Sequence, residues 1–591
     1  MTVRGNEREK VVSDIDAYNE RLGVRLHILD IVHNEKNVFL RRVCITNERN
    51  DEREIRVFFD QEFRISESRR GDTAFYDPRV NAIIHYKGHS AFLINAVCAG
   101  KQFNDYTVGL FGIEDKTGSF IDAEDGVLSR NPIEHGSVDS VVGLTLTLAG
   151  QESELVDYWI AAGHSVGEVH ALNAYVLEEG PERLIASTQN YWKAWLEKES
   201  RNLSVFDADL RNLYKQSLAI IRVHADNHGG IIASSDADML NQGRDTYSYV
   251  WPRDSAISVN ALDRAGYIDA AQRYFSFIAK LIEPDGYLMH KYRVDGVLGS
   301  SWHPWVRDGV TELPIQEDET ALVIYMLSQH YEYAKDIEFI ESLYNPFIEP
   351  ASQFLCRYTD EETGLPSNSY DLWEQKYGIS TYTASAVYGA LLGAAHLASL
   401  LGKRDPAENY RRAAERVKKG ILGYLYDTDM GMFVKLLRHK DGRIEYDKTV
   451  DMSSFFGPVY FGVLAPDDKR ALSSAKVVKE RLLVPTQFGG YMRYEGDDYY
   501  RTAHDAPPNA WCVTTLWMAQ YIIKVAKTKK ELREAYDLLR WTFDRARKSG
   551  VLPEQIHPYT GQHLSAAPLI WSQAEFVTTV EEYMKKYNSL G

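Results

Sequence analysis

The stretch Ser369-Tyr370-Asp371-Leu372-Trp373-Glu374-Gln375 lies between a turn, Thr363-Gly364-Leu365-Pro366, and a long apolar helical pattern that begins near Thr381. Glu374 directly follows an indole in a loop. Partial desolvation by Trp373 is expected to raise its pKa and suit it to general-acid work near neutrality. A second carboxylate of this kind stands about 180 residues later, in Leu552-Pro553-Glu554-Gln555, also in a loop and also followed by aromatics. The two carboxylates are read as facing one another across a pocket that takes a sugar.

Outward from these loops the apolar spacing is helical. From about His170 to the C-terminus it yields twelve stretches, near 205–226, 253–265, 268–283, 318–334, 337–358, 381–402, 406–427, 453–463, 466–482, 508–526, 530–548 and 571–587. Long loops rich in Gly, Pro and aromatics separate alternate pairs. Six helical hairpins closed into an (α/α)6 barrel fit this pattern, and so does a less regular helical array. Upstream, from about Leu22 to Ala162, apolar and polar residues alternate with β-branched enrichment, as in Arg25-Leu26-His27-Ile28-Leu29-Asp30-Ile31-Val32. Many short strands with polar turns read as an antiparallel sandwich. The expected organisation is multidomain β + α: an N-terminal antiparallel β-sandwich over 1–169, a helical linker over 170–204 and the barrel over 205–591.

At 591 residues the chain is too long for one ordinary core. Its 44% apolar and 26% charged residues are those of a soluble globular protein. Aromatics reach 12%, with 37 Tyr and 11 Trp, which serves core packing or the stacking of sugar C–H faces. A net charge of −17 argues against a nucleic-acid partner, because phosphate binding needs a basic surface. Cys44, Cys98, Cys356 and Cys512 are too scattered for structural zinc. Residues 1–21 lack the apolar core of a signal peptide, and no apolar run reaches membrane-spanning length. The expectation is a cytoplasmic protein with free thiols, no membrane partner and an oligomeric state left open.

Five loops are loaded with groups that bind sugars. Trp251-Pro252-Arg253-Asp254 enters a helix. Asp254 reads either as the helix N-cap or, with Arg253, as a grip on vicinal hydroxyls, with Trp251 as a wall. Trp302-His303-Pro304-Trp305 carries two indoles, which serve the core or the site. Gln316-Glu317-Asp318-Glu319 places three carboxylates in a first helical turn, where the dipole favours them; Asp318 is the one expected to reach the site. The Glu374 loop is the fourth. The fifth combines Gly490-Tyr491-Met492-Arg493-Tyr494 with the Glu554 loop and Tyr559.

At these motifs the sequence resembles glycoside hydrolase family 15, the glucoamylase and glucodextranase group, in its prokaryotic form. The matching patterns are Trp251 to Asp254, Gln316 to Asp318, Tyr370 to Gln375, Gly490 to Tyr494 with Asn509-Ala510-Trp511, and Leu552 to Gln555 with Ala567 to Ser572. The resemblance covers about residues 205–590. It implies an (α/α)6 barrel and inverting hydrolysis that releases glucose from non-reducing ends of α-1,4-glucans or maltooligosaccharides. By the same resemblance Glu374 is the general acid and Glu554 the general base. Arg253, Asp254 and Arg493 hold the terminal glucose, and Tyr370 and Trp373 line the pocket. No catalytic metal or other cofactor is implied.

Three departures mark this chain. Gln375 stands where fungal relatives carry a second Glu, so the site for the leaving sugar changes. The indole those relatives place before the Gln-x-Asp motif is absent, and Trp302 or Trp305 is its candidate replacement. The β part begins late, which reads as an internal or altered start at Met1 and a sandwich lacking some strands. Specificity for α-1,6 chains or trehalose, or a carbohydrate-binding relative without turnover, are the alternatives.

Overall fold

The computed structural model describes residues 2–5, 13–68, 70–199, 201–239 and 245–590. The chain forms two compact units, Met1–Lys198 and Glu199–Gly591.

The first unit is an antiparallel sandwich. Its larger sheet runs Thr2–Gly5, Ser13–Asn19, Val24–Val32, Val38–Asn47, Ser153–Gly163, Ser90–Cys98, Ala82–Lys87, Asp72–Asp77 and Ile133–Gly136 from edge to edge, with Lys101–Gln102 paired to Ser90–Cys98. The smaller sheet is Asp105–Leu110, Val138–Leu148 and Arg53–Glu62, with the long central strand in the middle. Alternation along each strand assigns its side chains to opposite faces. Val43, Ile45, Ile83, Val156 and Tyr158 join Val142, Leu144 and Leu146 in the core between the sheets. Their neighbours Val38, Leu40, Ile84, Trp159 and Ala161 face the other way and pack with Val169, Val176, Leu184 and Ile185.

Those last four residues belong to the helices Val166–Glu179 and Pro181–Glu197. The stretch expected to be a linker is therefore largely a helical cover on the outer face of the large sheet, and the first unit extends to Lys198. An apolar sheet face needs such a cover. A second difference concerns the start. Ser13–Asn19 pairs with Val24–Val32, from Ser13 opposite Asp30 to Asn19 opposite Val24, and Thr2–Gly5 pairs in turn with Ser13–Asn19. Strands thus precede Leu22. Ser13–Asn19 escapes pattern reading because most of its residues are polar and only Ala17 is buried. Met1 itself lies outside the described residues.

The second unit is an (α/α)6 barrel. Among the described residues, six inner helices close a ring: Pro252–Arg264, Glu317–Ala334, Thr381–Leu400, Met452–Tyr460, Cys512–Val525 and Ile570–Ser589, the last packing back on the first. Ala208–Val223, Ile268–Ile278, the pair Ile337–Leu343 and Glu349–Arg357, Arg404–Gly420, Lys469–Arg481 and Lys529–Phe543 pack outside them. The inner helices carry apolar and small residues almost all round, as buried helices must. Thr381–Leu400 is long and apolar enough to cross a membrane by length and composition, and most of it is buried in the ring. Its Gly393 lets it approach Glu317–Ala334 closely: a Cβ there would meet Ser328 Oγ at 2.6 Å.

Candidate active site

In a ring of helical hairpins the inner helices run the same way, so the loops that precede them gather at one end. Trp251, Gln316, Ser380, Asp451, Trp511 and Leu569 are the N-cap residues of the six inner helices. Backbone hydrogen bonds tie these entries together: Tyr370 N–H donates to Ile315 O at 3.1 Å, Met452 N–H to Arg493 O at 2.8 Å, and Cys512 N–H to Glu554 O at 3.3 Å.

Arg253 is the buried centre of charge. Its Nη1 lies 2.9 Å from Asp318 Oδ2 and 3.1 Å from Glu319 Oε1, its Nη2 3.4 Å from Glu374 Oε1, and its Nε 3.7 Å from Asp254 Oδ2. Its backbone N–H also donates to Glu319 Oε2. Burial pushes Asp318 and Glu319 up, against the pull of the guanidinium. Glu317, equally buried, has no hydrogen-bond partner for either oxygen among the described residues, and burial holds it well above the carboxylate range. Asp318 is thus committed to Arg253. Asp254 occupies the first turn rather than the cap, and burial raises it to about 6.

Glu374 sits on a tight turn with φ +62°, a left-handed conformation that costs a residue with a Cβ roughly 1–3 kcal/mol. Asp371 holds that turn: its Oδ1 accepts from Gln375 N–H at 2.8 Å and Lys376 N–H at 2.9 Å, and its carbonyl accepts from Glu374 N–H at 2.8 Å. Gln316 Nε2 donates to the same carbonyl at 2.8 Å. Buried Lys435 braces the turn from behind, 3.5 Å from Asp371 and 3.1 Å from Asp451.

The expected effect of Trp373 on Glu374 is corrected by the structure. The indole N–H of Trp373 donates to Asp451 Oδ2 at 3.0 Å, so the ring is a strut of the loop. Burial does push Glu374 up, but the imidazole of His290, with Nε2 2.9 Å from Oε2, and the Arg253 guanidinium outweigh it and bring the carboxyl down to about 2.

Glu554 has the opposite environment. It is buried, and burial raises it to about 7 although Ser565, Arg493 and Gln555 favour the ionised form. Gln555 Nε2 donates to Glu554 Oε2 at 3.1 Å and is oriented by Asn509, whose Nδ2 donates to Gln555 Oε1 at 2.8 Å. Arg493 grips Asp497 with two bonds, 2.8 and 2.7 Å, and its guanidinium carbon lies 4.3 Å from the Trp511 ring centroid and 5.2 Å from that of Trp373. Shared neighbours link the two carboxyls. Asp254 feels Glu374 and in turn raises Glu554. The Tyr247 hydroxyl, 2.6 Å from that of Tyr499, is raised by burial and by both Glu554 and Glu374.

The remaining expected residues divide. Trp251 Nε1 lies 3.3 Å from His290 Nε2. Trp302 is 54% exposed, its ring edge-on to His290 at 4.8 Å. Tyr370 stacks on His303 at 3.9 Å and receives a hydrogen bond from Arg307 at 2.7 Å. Gln375 is exposed and accepts from the Tyr494 hydroxyl. Tyr559 is 55% exposed, and among the described residues its one ring contact is with His557. Tyr559→Ala is therefore expected to change stability by no more than about 0.5 kcal/mol and to leave KM unaltered; a large rise in KM would place Tyr559 on the substrate path.

Sequence reasoning missed His290, Lys435, Asp451 and Asp497. It quoted His303 without assigning it. His290 and Lys435 come from segments far from the motif in sequence, and no local pattern points to them. His290, His303 and Glu374 also bring two imidazoles and a carboxylate within 4.8 Å, a set able to hold a transition-metal ion at the expense of the His290–Glu374 hydrogen bond.

A barrel of this kind, with two unlike carboxyls among aromatics and arginine at one end, defines a class of glycoside hydrolases. The family model "Glycosyl hydrolases family 15" matches residues 208–581, and the chain belongs to that family. It is similar to an uncharacterized glycosyl hydrolase of Methanocaldococcus jannaschii, 27% identical over 94% of this chain and 86% of that protein. It is also similar to Trehalase 2 of Sulfolobus acidocaldarius, 24% identical over 78% and 79% of the two chains. Among solved structures it resembles a bacterial glucoamylase complexed with acarbose, with TM-score 0.79 and 18% identity, over 99% of this chain and 85% of that one.

Proposed function

We propose that this glycoside hydrolase is an exo-acting, inverting enzyme that releases glucose from non-reducing ends of α-1,4-glucans and maltooligosaccharides. The observation that carries the reading is the placement of two unlike carboxyls among the loops at one end of the barrel, Glu374 against Arg253 and His290, and Glu554 beside Arg493 and Gln555. Glu374 protonates the glycosidic oxygen as the C1–O bond breaks. Glu554 takes a proton from the water that attacks C1 from the opposite face. An inverting pair works at a separation of about 6.5–9.5 Å, which leaves room for that water. Asp254 and Arg493 supply an acceptor and donors for the hydroxyls of the bound glucose, and Trp251, Trp302 and Tyr370 supply faces for the rings. The relative solved with acarbose supports this substrate class.

A second reading keeps the site and changes the bond. The trehalase relative favours trehalose as substrate, and exposed Gln375, in place of an acidic residue, alters the contacts available to the leaving sugar. Glucose release from maltose, maltotriose, isomaltose, trehalose and soluble starch, with the anomer followed by NMR, tests both. β-Glucose from maltose or maltotriose supports the first reading. Release from trehalose alone moves the assignment to the second. α-Glucose refutes inversion.

The pH dependence has a definite sign. Between about 2 and about 7 the two carboxyls hold one proton between them, and the productive form is the arrangement with that proton on Glu374. Above the upper value the pair loses its last proton. kcat/KM should therefore fall about tenfold per pH unit above the upper value. A profile that climbs through neutrality and stays high into alkali would contradict the assignment.

A further inference from the structure

Lys291 is buried, and the proposed hydrolysis gives it no part. Its Nζ is 2.9 Å from Asp245 Oδ2 and lies over three rings, 4.4, 4.8 and 5.1 Å from the centroids of Tyr249, Trp251 and Trp302. An ammonium taken out of water costs free energy unless other groups replace the water. Here one carboxylate and three aromatic faces do so, because the face of an aromatic ring carries the negative side of its quadrupole.

The loop that carries Trp302 is folded onto this lysine. Gly299 N–H donates to Lys291 O at 2.9 Å, and the Ser300 hydroxyl donates to Asp245 Oδ2. Glycine is what permits the approach: a Cβ at Gly299 would meet Lys291 Cγ at 2.9 Å and Tyr249 Cδ1 at 3.0 Å. Three residues on, the indole N–H of Trp302 points to the Glu374 carbonyl at 3.5 Å, so the ring stands beside the turn that bears the acid. Tyr249 and Trp251 are fixed by other means, since Val250 between them pairs with Tyr292 through two backbone bonds, 2.7 and 2.9 Å. Trp302, more than half exposed, is the ring with most to gain from the cation.

Exposure also says which sugar this ring meets. Arg253, Asp254, Arg493 and Glu554 are buried, whereas Trp302 and Gln375, beside the same turn, are exposed. In a pocket that takes a chain end first, the deepest groups meet the terminal glucose and the groups at the rim meet the sugar that leaves. This step rests on the proposed exo-hydrolysis. A side chain that must be immobilised when its ligand arrives weakens binding, and one already held does not.

We infer that Lys291 is a positioning residue that pins the indole of Trp302 as the platform for the leaving sugar. The lysine touches no substrate and acts through the ring. Asp245 holds the ammonium, the ammonium holds the indole, and the exposed part of the indole is left for the C–H face of a sugar.

The test compares a substrate that has a leaving sugar with one that has none. Lys291→Met keeps the apolar stem and removes the charge. On maltose, or on whichever disaccharide of glucose the wild type cleaves, it is expected to lose about five- to tenfold in kcat/KM, chiefly through KM. On α-glucosyl fluoride, which has no leaving sugar, the loss should stay below about twofold. Lys291→Arg keeps a cation that aromatic faces attract and should recover part of the loss. Trp302→Ala should show the same selective loss, and Lys291→Met added to it should cost little more, as for two residues that act as one unit. Gly299→Ala lifts the loop with the lysine intact; it should repeat the pattern, and it decides the matter if Lys291→Met does not fold. Unchanged kinetics, equal losses on disaccharide and fluoride, or a Lys291→Met loss that persists in full beside Trp302→Ala overturns the pinning and leaves the proposed hydrolysis standing. A wild type that hydrolyses neither substrate removes the proposed hydrolysis and this inference with it.

Discussion

Glu374→Gln is expected to cut kcat on oxygen-linked α-glucosides by about 10²–10⁴-fold, the usual loss when a general acid is removed. Gln preserves the size of the side chain, and its amide oxygen can still accept from Arg253, 3.4 Å from Glu374 Oε1, so the loop should keep its shape. What it cannot do is give up a proton. The same variant should therefore remain active on α-glucosyl fluoride, whose leaving group needs little protonation. Glu554→Gln should lose a similar factor on both substrates, because water still lacks its base. In both variants binding of the glucose moiety should survive. Equal losses on fluoride and on maltose for Glu374→Gln would show damage to the site rather than loss of an acid. Wild-type rates in either variant would end the assignment.

Arg253→Met is expected to be the most destabilising single change in the barrel. The guanidinium is buried and touches Asp318, Glu319 and Glu374, with Asp254 close behind. Met fills much of the volume but leaves these carboxylates, of which Asp318 and Glu319 are fully buried, without that counter-charge. Breaking a buried ion pair from one side typically costs about 3–5 kcal/mol. The loss has a pH signature. Burial already raises Asp318 and Glu319 in the fold, even with the arginine present. Without it they rise further, and a group raised in the fold destabilises as pH climbs above its unfolded value. The gap in melting temperature between wild type and variant should be wide at neutral pH and narrow toward about pH 4, near the unfolded carboxyl values. A gap that is constant with pH would show that packing, not charge, is what Arg253 supplies.

These predictions rest on parts of the molecule that were legible to different degrees. Each of the twelve helical patterns, from 205–226 to 571–587, has its counterpart in the barrel, from Ala208–Val223 to Ile570–Ser589. Helical periodicity is local, and a helix satisfies its own backbone, so composition and spacing suffice. The stretch read as one helix over 337–358 is interrupted at Tyr344–Ile348 by a wider turn; Pro346 there has no N–H to give. Strands were harder. A long one with clean alternation, Val24–Val32, is legible from its own residues, whereas Ile133–Gly136 is not. Ile133–Gly136 is a short edge strand defined by its neighbour across the ladder, Asp72–Asp77, which is distant in sequence.

The twelve helical stretches, the strand-rich first part and the motif residues that meet at the barrel end, Arg253, Asp318, Glu374, Arg493 and Glu554, are legible in local sequence. Each sits in a loop directly before an inner helix or on that helix's first turn, and loop composition marks such places. The environment that sets the proton affinity of those residues arises only on folding. Trp373 beside Glu374 in sequence promised a raised acid, but its indole binds Asp451 while His290, from another loop, lies 2.9 Å from the carboxylate. Lys435 reaches Asp371 and Asp451 in the same way, from a segment with no motif of its own. The physical reason is range. Helix formation is set by contacts three or four residues apart, whereas a pKa is set by every charge and every loss of water within a few ångströms in space. Folding brings those together from parts of the chain that share no local pattern.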